Sequence, residues 1–123
     1  MEHALIAEWT LVSEIPIPGD ISDLLTEGES AHSAYSTFLD SAIFTNKRLI
    51  LRDAQGLTGK KIEMYSVPYS AVHMWSTENA GKFLDFTAEV ELWTRSGTIK
   101  LHLQKGIDVR KIDRLIAERV LNQ

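Results

Sequence analysis

Residues 42–75 read Ala-Ile-Phe-Thr-Asn-Lys-Arg-Leu-Ile-Leu-Arg-Asp (42–53), Ala-Gln-Gly-Leu-Thr-Gly-Lys-Lys (54–61) and Ile-Glu-Met-Tyr-Ser-Val-Pro-Tyr-Ser-Ala-Val-His-Met-Trp (62–75). Three apolar runs are separated by two turn signals. The first is Thr45-Asn46-Lys47-Arg48, where asparagine tolerates a left-handed backbone and can reverse the chain between Phe44 and Leu49. The second runs from Asp53 to Gly59, with glycines at 56 and 59. This pattern predicts strands near 42–45, 47–53 and 60–67. Pro68 lacks a ladder donor and should end a strand or lie on an edge. Val72 to Trp75 resumes the extended run.

Toward the C-terminus the alternation sharpens. Leu84, Phe86, Ala88, Val90 and Leu92 share one parity, and Asp85, Thr87, Glu89, Glu91 and Trp93 share the other. That is a strand with one face buried. Ser96-Gly97 signals a turn, followed by Ile99, Leu101 and Leu103 alternating with Thr98, Lys100 and His102. A two-residue Ser96-Gly97 loop would set Leu92 against Leu101, Trp93 against Lys100 and Glu91 against His102. Only an even loop keeps apolar opposite apolar. Gly106 then breaks the strand and Asp108 caps a helix, whose apolar stripe is Val109, Ile112, Leu115, Ile116 and Val120.

Toward the N-terminus the signals weaken. Ser30 to Leu39 reads as a strand with indistinct faces. In Ala4 to Val12, Leu5, Trp9 and Val12 fit a helical period, while Leu5, Ala7, Trp9 and Leu11 fit strand alternation. The reading adopted is a short helix. Pro16 and Pro18 make an extended link. Asp20 can cap a further short helix over 21–26, ended by Gly28. The division expected is an N-terminal arm with a short helix (1–28) and a folded domain (29–123). The count is seven antiparallel strands followed by one helix, which suits a mainly β open barrel or sandwich with the helix at its mouth.

The ordered series Phe-Thr-Asn-Lys-Arg-Leu-Ile (44–50), Asp-x-Gln-Gly-x-x-Gly-Lys-Lys (53–61) and Val-Pro-Tyr-Ser-x-Val (67–72), with the final helix, resembles the bacterial pleckstrin-homology (PH) domain family. The resemblance covers roughly residues 27–121. It implies a PH-like fold and, often, a ring-shaped homo-oligomer. It implies no particular biochemical activity.

Composition narrows the function classes. The chain has 123 residues, no cysteine and a net charge of −4. One domain is expected, and thiol and disulfide chemistry are excluded. No apolar run reaches the roughly 20 residues that span a bilayer. Glu2 and His3 open the chain, and no Lys or Arg precedes Lys47, so a basic signal-peptide start is missing and a cytoplasmic location is expected. The acidic balance argues against a nucleic-acid partner and mildly against an anionic membrane.

Nothing in the sequence carries a catalytic pattern. Gly56-Leu57-Thr58-Gly59-Lys60-Lys61 lacks the spacing and the Ser or Thr of a phosphate loop, and reads as a hairpin loop. His3, His32, His73 and His102 are scattered without metal-ligand spacing. Asp85, Glu89 and Glu91 lie on an outward strand face, where solvent keeps carboxylates ordinary. No enzyme, cofactor or metal is expected. PH domains that bind inositides place basic residues at the first hairpin loop, but here that loop is Phe38-Leu39-Asp40-Ser41. Lys47, Lys60 and Lys61 are the remaining ligand candidates. The leading expectation is a self-assembling module, with Trp93, Glu91, Lys100 and Trp75 as its candidate interface. The alternatives are an anionic lipid headgroup and a peptide added as a strand, with Ser70–Ser76 as the candidate edge.

Overall fold

The structure is a computed structural model and describes residues 5–55, 61–79 and 87–123. Its strands are β1 (Leu5–Ile15), β2 (Ala31–Thr37), β3 (Asp40–Thr45), β4 (Arg48–Gln55), β5 (Lys61–Pro68), β6 (Met74–Glu78), β7 (Ala88–Thr94) and β8 (Gly97–Leu103). One helix, α1 (Val109–Leu121), follows. The strands form one sheet in the order β5-β4-β3-β2-β1-β8-β7-β6. The sheet curls around a shared core, so that Leu49, Leu51 and Val67 from one half pack in the same cluster as Val90, Leu92 and Ile99 from the other.

The described residues thus hold eight strands rather than seven, and the N-terminal segment is a strand rather than a helical arm. Alternation prevails there because Trp9 and Leu11 are buried and Ala7 packs on the core. An isolated helix of that length would be marginal, whereas a strand gains two neighbours. β1 runs parallel to β8 from Leu5↔Thr98 to Leu11↔Leu103. It then runs antiparallel to β2 from Leu11↔Thr37 to Ile15↔Ala34, with a register shift between Leu11 and Ser13. The expected all-antiparallel arrangement therefore has one parallel pair, and β1 joins the two halves of the sheet.

The expected helix over 21–26 is a 3₁₀ turn at Gly19–Asp23. It buries Ile21 against Ala34, Ile43 and Ile50, with Leu24 and Leu25 packed beside them. That small second core lies on the outer face of β2–β4. It explains the weak alternation of β2, whose Ala34 and Tyr35 are both buried although they point to opposite faces.

The β3–β4 turn does not use a left-handed asparagine. Among the described non-glycine residues only Asn79 has positive φ, at 62°. Instead the Thr45 hydroxyl accepts from the amides of Lys47 (3.0 Å) and Arg48 (2.9 Å). Asn46 ties the turn to the preceding loop, accepting from Ser30 N–H (2.8 Å) and donating to the Gly28 carbonyl (3.0 Å).

The β7–β8 register differs by two from the expected one. Leu92 faces Ile99, Trp93 faces Thr98 and Glu91 faces Lys100, which leaves Arg95-Ser96 as the loop. The loop is even, so the parity argument holds. Thr94 fixes its position, donating to the Gly97 carbonyl (2.8 Å) and accepting from Ser96 N–H (3.2 Å). Leu84, Asp85 and Phe86, expected in the same strand as Ala88, lie outside the described residues.

Helix α1 begins where expected, with Asp108 accepting from the amides of Arg110 (3.1 Å) and Lys111 (3.2 Å). Val109, Ile112, Leu115 and Ile116 are buried in the core, and Val120 packs against it.

Candidate interaction surfaces

The outer face of β6, β7, β8 and β1 follows from strand parity. Trp93 points outward with Glu89 and Glu91, as the alternation predicts. Its cross-strand neighbours are Met74 on β6 and Thr98 on β8. Met74 is 49% exposed, and Trp93 is half-buried. Among the described residues the sheet ends at β6, so this aromatic–methionine pair lies beside a terminal strand. The first row is apolar.

The next rows are charged. Glu91 faces Lys100, and Lys100 faces Glu8 across the parallel pair. The Lys100 Nζ lies 3.5 Å from Glu89. His102 stands between two carboxylates, with Nε2 against Glu8 and Nδ1 3.5 Å from Glu89. Glu8 is 94 residues from His102 in sequence. No local spacing could announce this cluster, which the β1–β8 pairing assembles. Among the described residues no group of three or more potential ligands is arranged to hold a metal ion.

Trp75, the remaining interface candidate, has the opposite parity. It packs on the core, and its indole donates to Asp113 Oδ1 of α1 (2.9 Å). Thr77 donates to the same oxygen (2.7 Å). These two bonds fasten the edge strand β6 to the helix. The expected edge Ser70–Ser76 divides accordingly: Tyr69–Ala71 is a 3₁₀ turn, and Met74 to Ser76 belong to β6.

The basic ligand candidates do not converge. Lys47 sits at one end of β4, and its ammonium bonds the Glu27 carbonyl (3.4 Å). Lys61 opens β5 opposite Gln55, at the far end of the hairpin. An eight-residue strand separates them, roughly 25 Å. Lys60 lies outside the described residues. At the β2–β3 tip, Phe38 (74% exposed) and Leu39 project. The nearby Arg52 is engaged by Asp20 (3.0 Å), Asp40 (3.4 Å) and Ser41 (3.1 Å).

The second sheet edge, β5, borders a broad groove. Its volume is about 770 Å³, and it separates β5 from the β7–β8 turn. On the groove side, Tyr65 stands edge-on to Trp9 with ring centroids 6.2 Å apart.

Comparisons with known proteins agree with this architecture. The family model described as "Bacterial PH domain" matches residues 1–120, and the chain belongs to that family. It is 38% identical over 89 residues to the uncharacterized protein YjqA of Bacillus subtilis strain 168, covering 72% of this chain and 70% of that one. It is 32% identical over 97 residues to the uncharacterized protein YozO of the same organism, covering 79% and 83%. A crystal structure of a protein with a pleckstrin-homology domain from Shewanella loihica PV-4 superposes with a TM-score of 0.76 at 37% identity, covering 88% of this chain and 96% of that one. A pleckstrin-homology domain from Shewanella amazonensis SB2B gives 0.64 at 39% identity, with 82% of each chain covered. No enzyme family is among these relatives. No helix of the described residues is long and apolar enough to cross a membrane.

Proposed function

We propose that this chain is a non-enzymatic, self-assembling interaction module, joined to copies of itself through the outer face of β6 and β7. The observation that carries the reading is the Trp93–Met74 cross-strand pair at the terminal strand β6 among the described residues. A large aromatic and a half-exposed methionine lose little by leaving water, and aromatics and methionine are enriched at interface cores. Glu91 and Lys100 flank this pair and would form the rim, where charges stay solvated. A ring of more than two copies, the form the family resemblance suggests, requires a head-to-tail contact whose rotation closes, in which this face meets a different patch of the next copy.

Binding to an anionic headgroup is the less favoured reading. A phosphate site needs convergent, unpaired donors. Arg52, beside the β2–β3 tip, already meets two carboxylates. Size-exclusion chromatography with light scattering tests the proposal. A mass of several chains at tens of micromolar is expected, and Trp93→Ala should lower it while circular dichroism stays unchanged. A strict monomer, or an unchanged assembly in the folded variant, would sink the reading.

A further inference from the structure

The assembly face proposed above does not include the opposite sheet edge. β5 pairs with β4 along all eight of its residues, and β5 is the terminal strand of the sheet. Half of the backbone N–H and C=O groups of such a strand lack a ladder partner and can template another strand. The groove beside this edge has apolar walls, with Tyr65 and Val67 of β5 on one side and Ala7 and Ile99 on the other. Tyr65 is 38% exposed, so part of its ring remains open to a ligand.

Charge selects the occupant. Among the described residues no acidic side chain lines the groove. Glu63, nearby on β5, accepts a hydrogen bond from the Tyr65 hydroxyl. Apart from His73, the basic side chain in the lining among the described residues is Arg95, at the tip of the β7–β8 turn. Arg95 is exposed and makes no ion pair or hydrogen bond among the described residues. An uncommitted guanidinium in the wall of an apolar groove favours a carboxylate-bearing ligand, through a local charge-assisted hydrogen bond that opposes the chain's overall negative charge.

We propose that this groove binds an extended peptide segment of another protein, added as a ninth strand along β5. Its alternate apolar side chains would fill the space between Tyr65 and Ile99, and a carboxylate would reach Arg95. Main-chain pairing would supply affinity, and the groove and Arg95 would supply selectivity. This site is distinct from the β6–β7 face, so it stands or falls independently of the self-assembly reading.

The probe is a random dodecapeptide display library panned on the full chain, with enriched sequences synthesised and measured by fluorescence anisotropy. Enriched peptides should alternate apolar residues and carry Asp, Glu or a free C-terminal carboxylate. Arg95→Glu should weaken them at least tenfold. Ala71→Trp, an exposed position in the groove wall, should block them. Hydrogen–deuterium exchange on the unmutated chain should slow in residues 61–68 and not in 74–78. No enrichment over an uncoated surface, equal binding by both variants, or protection confined to β6 would overturn the proposal. So would a lower assembly mass for the folded Ala71→Trp variant without peptide, because the groove would then be a contact between copies.

Discussion

The Glu29 carboxylate is clamped by the Arg48 guanidinium, with Oε2 2.8 Å from Nε and Oε1 3.1 Å from Nη2. The same carboxylate accepts from the Thr45 hydroxyl (2.7 Å) and the Thr26 amide (3.0 Å). Arg48 also donates to the Leu24 carbonyl (2.9 Å). The loop after the 3₁₀ turn is thereby bolted to the β3–β4 hairpin. The Glu29 side chain is 1% exposed and that of Arg48 23%. Removing one partner of a buried pair leaves the other charge uncompensated. Glu29→Gln should cost about 2–4 kcal/mol in chemical denaturation, at the lower end of that range because water still reaches Arg48. A loss under about 0.5 kcal/mol would mean that the clamp does not hold the loop.

The same clamp sets an acid limit. Burial pushes the Glu29 carboxyl up, but the hydrogen bonds from Arg48, Thr26 and Thr45, with the charge of Arg48, outweigh burial and hold it at about 2, against an ordinary 4.5. A depressed carboxyl pKa stabilises the folded state fully above the unfolded value, and that stability drains away as pH falls through the folded value. The expected loss therefore runs from about pH 4.5 down to about 2. Denaturant titrations across that window should show a slope that Glu29→Gln flattens. Equal slopes would assign acid sensitivity to other carboxylates.

Ile116 is fully buried on α1. Ile116→Ala should cost about 2–5 kcal/mol, the sum of lost transfer energy and an unfilled cavity. A thermal unfolding midpoint within a degree of the parent would show that the helix does not pack there.

Asp113 is the acceptor that joins α1 to β6. Asp113→Ala would leave the Trp75 indole and the Thr77 hydroxyl without that acceptor, at about 1–3 kcal/mol. The effect should be local, with faster hydrogen exchange in residues 74–78 than in β7 or β8. Uniform acceleration across the sheet would contradict a local latch.

Lys100 separates the two halves of the outer face. Its ammonium is already near Glu89, so Lys100→Ala should leave the assembly mass unchanged, whereas Trp93→Ala lowers it. Exposed pairs of this kind contribute about 0–1 kcal/mol. A mass drop in Lys100→Ala equal to that in Trp93→Ala would move the interface centre onto the charged rows.

Much of this molecule is written in local pattern. The β3–β4–β5 run, the Asp108 cap, the buried stripe of α1 and the outward parity of Trp93 each depend on side-chain periods of 2 or 3.6 residues, which a short window of sequence contains. The tertiary structure decided what such a window cannot hold. In residues 5–12 two periods fit equally well, and the choice fell to strand because β8 and β2 offer β1 a partner on each side. The β7–β8 loop was legible in parity but not in position, because two even registers bury the same face. The Glu29–Arg48 clamp, the Trp75–Asp113 latch and the His102–Glu8–Glu89 cluster join residues far apart in the chain. Such contacts exist only once the sheet has curled, so no spacing in the sequence could encode them.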